Sequence, residues 1–272
     1  AVLPGSGFVW VQAFNLNSTT TPSSDNCGIF SYLINDKQRD TFTCANLGLN
    51  TVILKVTDNS GRTDTCHAYV NIRDLTSPTA TCVFNTTVAL DTAGNYCLPA
   101  TALVSASNDN CGVASITVGG QDTVKYTCAD IGSNLETVVI MDSSGNATSC
   151  SAIVNISDNI LPTAICPTTP VAAYLGGTAG GATYIQAIQL DSGSYDNCGI
   201  VRYLINGLDS ALYSCNNIGS FPSAILTIID STGNQATCNV VIDVLDTIAP
   251  TAICKNITVQ LSSAGVAIVQ PN

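Results

Sequence analysis

Three kinds of residue in this chain have side chains that could do chemistry: the carboxylates, the cysteines and one histidine. His67 is the single histidine. A catalytic triad or a zinc-bound water needs an oriented base or several imidazole ligands. His67 alternates outward with the apolar residues of its strand, so it reads as a surface residue. Thirteen cysteines offer thiolate ligands or disulfides. Zinc sites use C-x-x-C knuckles, and none occurs; regular spacing beside one Met and one Trp points to a disulfide framework made in an oxidising compartment. Carboxylate pairs can cleave glycosides, but here the acids lie in turns and joints and recur with the repeat, as structural residues do. Asp74, Asp158 and Asp246 stand at joints, and Asp58, Asp142 and Asp230 open turns that could face them. Calcium takes six to eight oxygens, so such a cluster could rigidify a junction. The competing reading is that each carboxylate bonds its own turn backbone. No catalytic residue and no cofactor other than calcium is expected. The glycines in residues 176–181 precede a strand, whereas a phosphate loop opens a helix, so they read as a hairpin.

These residues recur in a fixed frame. Asp25-Asn26-Cys27-Gly28 returns as Asp109-Asn110-Cys111-Gly112 and Asp196-Asn197-Cys198-Gly199, a period of 84 and then 87 residues. Cys44, Cys128 and Cys215 each follow 17 positions later. Cys66, Cys150 and Cys238 come next, and then Cys82, Cys166 and Cys254. Self-similarity of this length means a tandem array. A unit this small buries about 60–65% of its unfolded surface, so cross-links are expected to supplement the core.

Within a copy the apolar period is two. Cys66, Ala68, Val70 and Ile72 alternate with polar neighbours, as do Cys150, Ala152, Val154 and Ile156, and Cys238, Val240, Ile242 and Val244. That pattern marks half-buried strands. Asp58-Asn59-Ser60-Gly61 and its counterparts at Asp142 and Asp230 suit hairpin turns. No stretch keeps a helical period for three turns. The expectation is all-β: tandem immunoglobulin-like β-sandwich domains, disulfide-stapled, in an extended rod. Boundaries are read at 1–75 (a partial copy lacking its first strand), 76–159, 160–247 and 248–272 (the start of a further copy). The joints end at Pro78, Pro162 and Pro250 without glycine, which predicts stiff connections. Both ends cut a repeat, so the chain reads as a stretch of a longer one.

Cysteine pairing has more than one solution. The 17-residue loops predict Cys27–Cys44, Cys111–Cys128 and Cys198–Cys215, each worth roughly 3 kcal/mol in the chain-entropy model. The rest can pair across the joints (Cys66–Cys82, Cys150–Cys166, Cys238–Cys254) or within a domain. A strand of about seven residues carries the chain roughly 23 Å away, which favours the intradomain pairs Cys82–Cys150 and Cys166–Cys238. Cys66 and Cys254 then pair outside this stretch. Cys97 has no counterpart and reads as a buried apolar thiol, with an intermolecular cross-link as the alternative.

Charged residues make up 10% of the chain and the net charge is −11, with eight scattered basic residues. Nucleic acid and anionic membranes are thereby disfavoured as partners. No apolar run reaches 18 residues, so no direct membrane insertion is expected.

The set P-T-A-x-C, D-N-C-G, T-C-A, D-x-S-G-N and A-T-C resembles hyalin-type (HYR-like) repeats. It is most similar to the Cys-rich tandem repeats of giant Bacteroidota surface proteins, including gliding-motility adhesins exported by the type IX secretion system. Pro250-Thr251-Ala252-Ile253-Cys254-Lys255-Asn256-Ile257-Thr258-Val259 is the best match to that repeat's opening strand. The resemblance implies an extracellular, outer-membrane-attached fibre. In it this non-catalytic segment would act as a structural or adhesive semi-rigid stalk. Its partners would be further repeats of the same chain, surface glycans or a solid substratum, or other copies in a filament. Alternatives are a glycan- or protein-binding module using loops 15–24 and 191–197, and an accessory region of a secreted enzyme. The same resemblance makes Thr92, Thr123, Ser210, Ser231 and Thr247 fit an Asp-Ser/Thr O-glycosylation pattern. N-x-S/T sequons occur at Asn17, Asn85, Asn146, Asn155 and Asn256.

Overall fold

A computed structural model describes residues 1–176 and 181–269; most of the hairpin read in 176–181 lies outside the described residues. Two units are resolved. Unit 1 is Ala1–Leu161 with Asp196–Gly199, and unit 2 is Pro162–Tyr195 with Ile200–Asn272. The described residues form strands and short 3-10 turns, with no α-helix.

Unit 1 contains two β-sandwiches. The strands of the first are β1 (Val2–Leu3), β2 (Phe8–Gln12), β3 (Ile29–Ile34), β4 (Arg39–Thr43), β5 (Gly48–Asp58) and β6 (Thr63–Asp74). Those of the second are β7 (Thr79–Cys82), β8 (Asn85–Ala89), β9 (Asn95–Pro99), β10 (Val104–Asn108), β11 (Val113–Val118), β12 (Thr123–Thr127), β13 (Gly132–Asp142) and β14 (Ala147–Ser157). One layer of the second sandwich is the sheet β11-β13-β14-β8; facing it are the ladders β12-β9 and β10-β7. The first repeats this as β1-β6-β5-β3 over β2-β4.

Period-two patterning explains the layers. Val138 and Ile140 of β13, with Ala152, Val154 and Ile156 of β14, turn inward and are at most 3% exposed. Each large aliphatic so buried contributes about 1.5–3 kcal/mol. They pack on Leu98, Leu103 and Tyr126 of the opposite layer. The opening segment changes layers: β7 pairs antiparallel with β10, and shortly afterwards β8 pairs parallel with β14. This crossing, with the antiparallel meander, is the immunoglobulin-like arrangement. Cys82 at the end of β7 bonds Cys150 in β14, Cα–Cα 5.7 Å, tying one layer to the other.

Unit 2 has the same plan. Its strands are β15 (Val171–Tyr174), β16 (Ala182–Gln186), β17 (Ile200–Ile205), β18 (Ser210–Ser214), β19 (Ser223–Asp230) and β20 (Gln235–Leu245). The sheet β15-β20-β19-β17 packs over the ladder β16-β18. Cys166 bonds Cys238 at Cα–Cα 5.9 Å. The described residues after Pro250 form no strand.

The 17-residue loops are not closed by disulfides, which corrects the spacing argument. Cys44 bonds Cys111 and Cys128 bonds Cys198, each with Cα–Cα 5.3 Å. Neither Cys27–Cys44, Cys111–Cys128 nor Cys198–Cys215 forms. The reason is strand direction. Cys111 precedes Val113, which pairs with Asp142 at the hairpin end of the β13–β14 ladder. Cys128 precedes Gly132, which pairs with Ile156 at the other end, ten rungs away. Such a ladder is about 30 Å long, far beyond the ~7 Å Cα limit for a disulfide. Cys27 and Cys44 are separated in the same way along β5–β6.

Cys27, Cys66, Cys97 and Cys254 are exposed thiols. For Cys97 this overturns the buried reading. It lies on β9 opposite Lys125 of β12, at the outward position that Trp10 holds in β2 and Tyr184 in β16. Cys66 is also exposed despite its inward phase, since the first sandwich has no strand in the place of β7 to cover it.

Candidate functional site

Chemically demanding residues converge in unit 1 where the first sandwich hands over to the second. Asp74 ends β6 and is 4% exposed. Its Oδ1 accepts from the Thr76 N–H and from Asn110 Nδ2, both at 3.1 Å. Its Oδ2 is buried and has no hydrogen-bond partner. Asp109 and Asn110 arrive from the D-N-C-G turn that leads into β11. Asp109 Oδ2 accepts from the Cys111 N–H at 2.8 Å, while its Oδ1 is buried without a partner. The Asn110 amide oxygen is buried and unpartnered too.

Asp142 comes from the β13–β14 turn and is 2% exposed. Its Oδ1 accepts from the N–H groups of Ser144 and Asn146, and its Oδ2 from Asn146 Nδ2 at 2.7 Å. Burial pushes the carboxyl pKa up, but the Asn146 side chain and the turn amides outweigh it, so the group stays below its ordinary value. Asn146 Nδ2 also donates to the Asp74 main-chain oxygen at 3.2 Å. One carboxylate oxygen from each of Asp74, Asp109 and Asp142 lies within 4.8 Å of the others.

The Cys44–Cys111 disulfide crosses the same handover. Cys44 opens the 3-10 turn Cys44–Asn46, whose N-cap Thr43 accepts from Ala45 N and shares a capping box with Asn46. The backbone approaches closely here, and glycine makes room: a Cβ on Gly7, at φ +75, would lie 2.8 Å from the Asn110 carbonyl oxygen. Gly94, at φ +71, does the same at Cys128, where a Cβ would meet Sγ at 2.6 Å and the Asn197 oxygen at 2.9 Å.

The sequence matches no family model and no curated protein. It is similar in structure to protocadherin gamma B2 extracellular cadherin domains 1–5, at 13% identity and TM-score 0.33, covering 90% of this chain and 57% of that one. Sidekick-1 immunoglobulin domains 1–4 align at 9% identity and TM-score 0.35, covering 89% and 68%. Human mucin-like protocadherin EC1–2 aligns at 14% and 0.36, covering 62% and 98%. The chain thus spans little more than half of the protocadherin gamma B2 structure.

Of the six acids expected at junctions, Asp74 and Asp142 meet. Asp58 caps its own turn, accepting from Ser60 N and Arg62 N, and lines a groove with Asp25. Asp158 is buried, and its Oδ1 accepts from Ile160 N and Asn197 Nδ2. In unit 2, Asp230 is buried in its turn. Burial raises its pKa, but bonds from Asn234 and Thr232 outweigh this and hold it low. Asp246 accepts from Ile248 N. Asp109 and Asn110, not among the six acids expected, are brought to Asp74 and Asp142 by the D-N-C-G turn. In the sequon at Asn146 the amide nitrogen donates to Asp142 Oδ2 and to the Asp74 main-chain oxygen. Thr92, Thr123, Ser231 and Thr247 are exposed and Ser210 half-buried.

Proposed function

We propose that this chain is a non-catalytic structural segment of a long extracellular fibre, a stalk of HYR-like repeats. One observation carries the reading: Cys44 of one sandwich is bonded to Cys111 of the next. A linker of a few residues would transmit tension through backbone alone. Here a second covalent path crosses the handover, and sandwiches cannot be pulled apart without breaking a bond. Cys128–Cys198 uses the same two positions one period later. Four disulfides support an oxidising compartment outside the cytoplasm. Among the described residues no helix is long and apolar enough to cross a membrane.

The test is immunogold labelling of intact source cells with antibodies to this chain, before and after protease shaving. Label on extended surface material, lost on shaving, is expected. Label that needs permeabilised cells would end the proposal. A glycan-array and surface-adhesion assay of the oxidised chain separates the roles: no binding fits a stalk, and saturable binding makes the segment itself adhesive.

A further inference from the structure

We infer that the handover in unit 1 is a calcium site built by Asp74, Asp109, Asn110 and Asp142. The acids alone would not establish this, since carboxylates often cap turns. The deciding observation is what the turn bonding leaves over. Asp74 is nine-tenths and more buried, yet its Oδ2 meets no donor, and Asp109 Oδ1 and Asn110 Oδ1 are buried beside it in the same condition. Buried polar atoms are satisfied in folded proteins with few exceptions, and three unsatisfied acceptors at one place call for a common partner. All three are oxygens, so what is missing is positive charge or donors.

No basic side chain supplies it. The ion pairs among the described residues are Lys37–Asp40, Lys55–Asp36 and Arg202–Asp209, and none touches these carboxylates. Asn110 has turned its Nδ2 towards Asp74 Oδ1, which leaves its carbonyl oxygen as a further ligand. Carboxylate oxygens within 4.8 Å of one another fit around one ion whose bonds are 2.3–2.6 Å long. The donor set is oxygen only, because the nearby sulfurs of Cys44 and Cys111 are in a disulfide. That selects a hard cation, and the mixture of carboxylate and amide oxygens suits calcium, which accepts irregular shells, over magnesium, which keeps its waters. The bonded turn amides of Thr76, Cys111, Ser144 and Asn146 form the supporting shell. The inference stands apart from the stalk reading, since binding is measured on the isolated chain.

The experiment uses the oxidised 272-residue chain, stripped with a chelator. Equilibrium dialysis with calcium measures affinity and stoichiometry. Hydrogen exchange of the wild type then asks where protection rises. Saturable binding between about 10⁻⁵ and 10⁻³ M is expected, with exchange slowed several-fold at residues 74–76, 109–111 and 142–146. Asp109→Asn, which keeps an acceptor for Cys111 N, should lower the calcium count by one and remove that local protection. No binding at 10 mM calcium overturns the site, and the unpaired oxygens are then water-bound. Binding without protection at these three segments, or an unchanged count in a folded Asp109→Asn chain, overturns it as well. If that variant fails to form Cys44–Cys111, the wild-type exchange map decides alone. Magnesium binding as tightly as calcium overturns the choice of ion.

Discussion

Asp142 stays a carboxylate although it is buried, because its turn surrounds it with donors. Its folded pKa is depressed, so its contribution to stability is present above the unfolded value of about 3.9 and is lost as pH falls through the folded one. In the presence of chelator, melting temperature should hold down to about pH 4 and then drop. Asp142→Asn should lower the plateau and flatten the drop, and a parallel pH curve for the variant would count against the assignment. Gly7 carries a different burden. An alanine there meets the Asn110 carbonyl at 2.8 Å with φ in the left-handed region. Gly7→Ala should destabilise the oxidised chain by about 1–3 kcal/mol in denaturant titration, whereas Gly61→Ala, with open space around its Cβ, should cost less. At this scale the sequence was only half legible. Asp74 and Asp142 stand out because joints and turns are visible as patterns. Asp109 and Asn110 belong to a tetrad whose recurrence shows only the period, since nothing in one strand's pattern says which turn lies beside which joint.

Strands and hairpins were the most readable level, because side-chain alternation is a local signal and the alternating Val70, Ile72, Val154, Ile156, Val240 and Ile242 are buried, Cys66 being exposed. Ile140 is fully buried between the layers, so Ile140→Ala should cost about 2–5 kcal/mol, read from the urea midpoint at unchanged slope. Strand length led to Cys82–Cys150 and Cys166–Cys238, which form, but the partners of the D-N-C-G cysteines were not readable from spacing. Seventeen residues can close a loop, but β11 starts at one end of its sheet and the segment reaching Cys128 finishes at the other. Pairing depends on which ends of different sandwiches meet, and that is tertiary information. A double-mutant cycle checks it. Cys44→Ala and Cys111→Ala should each cost about 4 kcal/mol by loop entropy, and the double variant no more than either. Additive losses would mean that the two cysteines do not share a bond.

For the whole molecule, the tandem period and the intradomain bridges Cys82–Cys150 and Cys166–Cys238 were legible in the sequence, and the bridges Cys44–Cys111 and Cys128–Cys198 were not. The shortest bonded route from Ala1 to Asn272 crosses at Cys44–Cys111, returns to Cys82, crosses to Cys150, follows the chain to Cys166 and crosses to Cys238. Stretched by its termini in a force spectrometer, the oxidised chain should reach roughly half the contour length of the reduced one at about 3.5 Å per residue. Equal lengths would refute the pairing.

The same wiring bears on persistence in a hostile medium. The four bridges overlap in register, each beginning before the previous one has closed. A single proteolytic nick anywhere between Cys44 and Cys238 is therefore spanned by at least one sulfur bridge. The cut pieces stay one molecule, so a secreted protease would have to strike repeatedly, or work with a reductant, before anything is shed.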